Sequence, residues 1–271
     1  MSRFVRSFSA EYRKVLATKL WWIMALVLFL YTAMMAGTFA ALFGAMSDQA
    51  GTAAPGAKII YASAASFGYV VPLLFGAIMA TTEIRYGVLG LAFIAEPKRE
   101  IVLVAKLAML LLMGVALGLA GVLASVGVGA PIYAALGGAT ELNEIGVWAL
   151  IVRTVLAIAL WSIIGFGLGL LLRSQAVTIV VALIFTQFLE PILRMGAMFW
   201  EWSASIARFF PGAATDSFIG ASLINDLSAL DPTAPTGSAS LTALQGGLVL
   251  LALAVITVLI AWVVRWRKDV Q

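Results

Sequence analysis

Six stretches of this chain stay apolar for at least the roughly 20 residues, give or take a few, that a helix needs to cross a bilayer. They are Leu20 to Met46, Ile59 to Thr82, Ile101 to Val126, Val147 to Leu172, Ala176 to Leu193 and Leu244 to Val264. Backbone N–H and C=O groups have no water to bond in hydrocarbon, so each stretch must be a helix unless strands close into a barrel. The short, alternating segments of a barrel are not seen in this sequence. Of the 271 residues, 63% are hydrophobic and only 11% charged, too few ionisable groups to clothe a soluble body of this size. The expectation is an all-α integral membrane protein with six transmembrane helices, forming a single domain over residues 1–271.

The basic residues set the orientation. With the N-terminus in the cytoplasm, Arg3, Arg6, Arg13, Lys14, Lys19, Arg85, Lys98, Arg99, Lys106, Arg173, Arg265, Arg267 and Lys268 fall on the inner side, 13 of the 17 present. Most acids fall at or beyond the outer ends. The positive-inside rule therefore predicts a multi-pass protein of the cell inner (plasma) membrane with both termini cytoplasmic. The net charge of +4 is explained by this asymmetry, and no nucleic-acid partner is expected. Residues 2–19 do not read as a cleavable signal. Phe4, Phe8, Tyr12 and Val15 recur at helical spacing among basic residues, which predicts an interfacial helix against the inner leaflet. Residues 195–242 are predicted to be extracellular, with one or two short outer-leaflet helices within 201–224 and a turn-rich link over 231–240 before the last span.

Absences narrow the chemistry. Cysteine and histidine are both missing, which removes disulfides, thiolate and imidazole metal ligands and every triad with an imidazole base. No lysine lies in the glycine-lysine-Ser/Thr setting of a phosphate-cradling loop. The chain is not expected to be an enzyme or to hold a cofactor of its own. Glycines 114 and 118, and 165 and 169, form small-residue faces suited to close helix packing, within one chain or between two. The fifth apolar stretch carries Gln187 and Glu190, with Arg194 just past its end, and the spacing of the last two suggests an i,i+4 ion pair near the outer end. Arg153 in the fourth span is placed to snorkel toward the outer surface.

Residues 83–100, EIRYGVLGLAFIAEPKRE, carry charge at both ends and an apolar middle. They fall between the second and third spans, and a short cytoplasmic helix is predicted, punctuated by Gly87 and Pro97. Leu89 and Phe93, four apart, present one apolar edge suited to a partner groove; Glu83, Arg85, Glu96, Lys98 and Arg99 frame it. A simple inner-leaflet turn is the other reading of this segment.

The run TTEIRYGVLGLAFIAEPKREIVLVAKL resembles the stretch of type-2 ABC exporter permeases in which a Glu ends the second span, a Gly follows four residues later, and a Pro-x-Arg precedes the third span and its Lys. Glu83, Gly87, Pro97, Arg99 and Lys106 match that pattern. The resemblance extends along the chain through SAEYRKVLATKLWW, GLGLLLRSQA and FFPGAATDSFIGA. It implies a permease subunit of an ATP-driven exporter that pairs with a second copy of itself or a related permease, and with separate ABC-type ATPase subunits that bring ATP and magnesium. Residues 83–100 would then be the coupling helix. Substrate would pass between the second and fifth spans of two protomers, with Tyr69, Phe75 and Gln187 as candidates from position alone. The alternative is a non-transporting membrane anchor or assembly factor for a soluble partner.

Overall fold

The computed structural model of the chain describes residues 3–50, 56–87, 96, 98–196, 201–222 and 241–266. Their architecture is all-helical, with six helical spans long and apolar enough to cross a membrane: Leu20–Met46, Ala57–Arg85, Arg99–Ala135, Ile145–Leu172, Gln175–Gly196 and Ala243–Val264. In chain order the helices are α1 (Arg3–Ala17), α2 (Leu20–Ala50), α3 (Ala57–Ser66), α4 (Val70–Arg85), α5 (Arg99–Ala135), α6 (Ile145–Leu172), α7 (Gln175–Ile184), α8 (Glu190–Gly196), α9 (Glu201–Ala207), α10 (Pro211–Ile219) and α11 (Ala243–Ala261). Among the described residues none forms a strand.

Helix α6 is the hub. It packs against α3, α4, α5, α7, α10 and α11, while α2 lies along α5. Close approach is possible because glycine removes the Cβ where backbones meet. A side chain at Gly165 would collide with the Leu73 backbone, one at Gly76 with the Ser162 carbonyl, and Gly114 and Gly118 face Ala159 and Val155. Both small-residue faces are therefore consumed inside this chain, α5 against α6 and α4 against α6.

Proline has a different outcome in each of three spans. The second span is broken by a turn at residues 67–69 between α3 and α4. Pro72 has no N–H to donate, and its ring crowds the carbonyl of Gly68. The fifth widens into a π-turn over Phe185–Leu189, just before Pro191, which cannot donate to the Gln187 carbonyl. The third runs on past Val126 to Ala135 through Pro131. Glycines and a proline signal an end there, but Gly129 lies tightly against Ile60 and Ala36, and this packing carries the helix through.

Arg173 closes α6 in the left-handed conformation (φ 56°). Ser174 then caps α7 by accepting a hydrogen bond from the Val177 N–H, so the fourth and fifth spans reverse within two residues.

Candidate functional site

At the end of the bundle that carries α1, four ionisable side chains meet around the ends of the second and third spans. Lys106, the eighth residue of α5, is only 4% exposed. Its ammonium pairs with Glu83 in the last turn of α4 and, at 2.9 Å, with Glu11 of α1. Lys14, one helical turn beyond Glu11, reaches the same two carboxylates at 2.7 Å and 3.3 Å. Two acids and two bases thus neutralise one another in a largely buried site, the condition under which buried charge is tolerated. Burial pulls the Lys14 ammonium down, but Glu83 and Glu11 outweigh it and hold its pKa above the ordinary lysine value. Phe75, Met79, Met109 and Phe166 line the small cavity beside the cluster.

A second set of ion pairs lies one segment further along. Glu96, 4% exposed, is approached by Arg6 at 3.5 Å and Arg3 at 3.8 Å, and it accepts a hydrogen bond from the Lys98 N–H at 3.4 Å. Helix α1 consequently grips the chain on both sides of residues 84–95, at Glu83 before them and at Glu96 after. The apolar repeat of α1 is divided: Val15 is buried and Phe8 half-buried against the bundle, while Phe4 and Tyr12 stay exposed.

The remaining residues of the predicted coupling segment are distributed as follows. Arg85 ends α4 and lies over the Tyr86 ring at 6.0 Å. Gly87 takes φ +64° with open space around it, a conformation glycine adopts without strain. Lys98 is exposed and Arg99 half-buried at the start of α5. Leu89, Phe93 and Pro97 lie outside the described residues, as does the body of the predicted short helix.

At the opposite end a polar cluster ties α10 to the spans. The carboxylate of Asp216 accepts from the Arg194 guanidinium at 2.6 Å and from Ser66 and Ser222 at 3.4 Å. Burial pushes the Asp216 carboxyl up, against the pull of Arg194. Glu190 and Arg194, suggested as a pair by their spacing, are divided: among the described residues no ion pair joins them. Glu190 instead accepts from the Ala213 N–H at 3.0 Å, supplying from α8 the N-terminal cap that Phe210 cannot give α10. The π-turn sets this arrangement, because Glu190 begins a new helical register directly after it.

Tyr69 and Gln187 are brought together. The Gln187 amide donates to the Tyr69 hydroxyl at 3.1 Å, which in turn donates to the Thr186 carbonyl at 3.2 Å. The Tyr69 ring stacks on Trp161 at 4.5 Å between centroids. Phe75 is separate from this pair, 1% exposed in the core beside the Glu83–Lys106 cluster.

The sequence shows Lys106 among the inner basic residues and in the exporter-like motif, and Glu11 only within the run SAEYRKVLATKLWW, and gives neither residue a partner. The available signal was a lysine well inside an apolar span, which demands a carboxylate, with few acids on that side to supply one. Among the described residues no three carboxylates gather as a metal site would require. No protein-family model matches the chain, and no curated protein matches it.

Proposed function

We propose that this chain is the membrane permease subunit of an ATP-driven exporter, working as a pair of protomers with separate ATPase subunits on the α1 side of the bilayer. One observation carries the reading: α1 is ion-paired to both margins of the segment that joins the second and third spans. Displacing a segment held at Glu83 and again at Glu96 would pull on α1 as well as on α4 and α5. Force applied there by a soluble partner would pass directly into two spans. The Tyr69–Gln187 contact adds a polar link within one chain between the second and fifth spans, the spans that the resemblance to type-2 ABC exporters sets along a substrate route between two protomers.

On this reading Leu89 and Phe93 are the anchors that fill a groove on the ATPase, and the charges around them set orientation. The test is affinity purification of the full chain from its own membranes, followed by ATP turnover in lipid. The wild-type chain should bring an ATPase with it, while the chain stripped of partners should neither bind nor hydrolyse ATP. A Leu89→Ala, Phe93→Ala double variant that inserts normally should lose the partner, each anchor contributing about 1 to 4 kcal/mol. Stoichiometric ATP binding by the isolated chain overturns the proposal. Capture of a soluble partner with no ATP turnover would assign the chain to the anchor class instead.

A further inference from the structure

Helices α5 and α11 both pack on α6 and leave a groove between them on its surface. Two cavities occupy it, of about 410 Å³ and 380 Å³, sharing Leu160 and Leu251 as lining residues. They form one continuous apolar trough along the side of the bundle. The end remote from α1 contains Arg153, the one ionisable residue lining the larger cavity. Among the described residues its guanidinium has no ion pair and no hydrogen bond. A terminal nitrogen of Arg153 lies beside Gly220, the left-handed residue that closes α10, and the C-terminal end of that helix favours positive charge.

We propose that this groove is a binding site for a membrane phospholipid, with the headgroup phosphate on Arg153 and one acyl chain lying along Leu156, Leu160, Leu248 and Leu251. A guanidinium inside an apolar wall is costly until an anion meets it, and its planar fork of donors suits phosphate oxygens. Along α11 the lining runs from Ala243 to Trp262, a rise of about 28 Å against a hydrocarbon core of ~30 Å, so the groove is long enough to hold an acyl chain that starts beside Arg153. At the far end the groove meets Glu100.

The experiment uses the purified full chain, delipidated in detergent, with dioleoylphosphatidylglycerol added back and bound lipid counted by native mass spectrometry. Wild type should retain lipid. Arg153→Leu should weaken retention by about tenfold or more, and Arg153→Lys should restore part of it. Leu248→Trp, at an exposed position of α11, fills the trough with the guanidinium intact and should weaken retention to a similar degree. Glycerophosphoglycerol, the headgroup without chains, should not compete. Equal retention by wild type, Arg153→Leu and Leu248→Trp overturns the proposal, as does competition by the chainless headgroup. A high yield of disulfide-linked dimers from a Leu248→Cys chain in lipid also overturns it, by giving the groove to a second copy.

Discussion

A lysine two turns inside a bilayer-length helix is destabilising unless carboxylates meet it, and Lys106 is met by Glu11 and Glu83. Removing one member of such a set leaves uncompensated charge. Lys106→Met should lower the unfolding free energy of the purified chain by about 3 to 5 kcal/mol, the range for breaking a buried pair. Neutralising all four members together (Glu11→Gln, Lys14→Met, Glu83→Gln, Lys106→Met) should recover most of that loss, because no charge is then left unmatched. Tryptophan fluorescence during denaturant titration reads both. A Lys106→Met chain as stable as wild type would show that the cluster does not hold α1. The sequence displays Lys106 and Glu83 as motif residues, but a contact to Glu11, nearly a hundred positions away, has no local signature. The same blindness divides Glu190 from Arg194: spacing on an ideal helix suggests a pair, and the π-turn with the incoming Asp216 redirects both.

At the scale of elements, the α4–α6 and α5–α6 seams depend on absent side chains. Gly76→Ala or Gly165→Ala places a methyl group against backbone, and overpacking of this kind costs about 1 to 3 kcal/mol. Gly127, exposed on α5 with open space for 4 Å around the place a methyl group would take, is the control. Gly127→Ala should be neutral or stabilising by up to about 1 kcal/mol from helix propensity. Thermal unfolding in one detergent compares the three variants, and equal melting points would refute the close-approach argument. Periodicity and length locate all six spans, since apolar runs need no tertiary knowledge. They do not foresee that Pro72 breaks one span and widening precedes Pro191 in another, while α5 passes through Pro131, because the neighbours that decide these outcomes lie on other helices.

For the whole molecule, the asymmetry of basic residues predicts which end faces the cytoplasm. The chain contains no cysteine, so single cysteines introduced at 90 and at 235 can be labelled in intact cells with an impermeant thiol reagent. Position 235 should react and position 90 should be protected until the membrane is opened. The reverse pattern would invert the orientation and move the proposed ATPase contact to the wrong side. The fold was legible at this scale because a bilayer permits so few solutions. The ion-paired brace was not, since it depends on which of several scattered charges meet in space.

That brace also has a consequence in time. Arg6 and Glu96 are 90 residues apart, and Lys14 and Glu83 are 69 apart. The ribosome delivers α1 first, then must make and insert two spans before Glu83, Glu96 and Lys106 exist to receive it. At about 5 to 20 residues per second, that interval is about 5 to 20 seconds. Until Glu83 is made, Glu11 and Lys14 have only each other. A nascent chain arrested before residue 83 therefore exposes an undocked α1, a mark by which incomplete copies are distinguishable from finished ones.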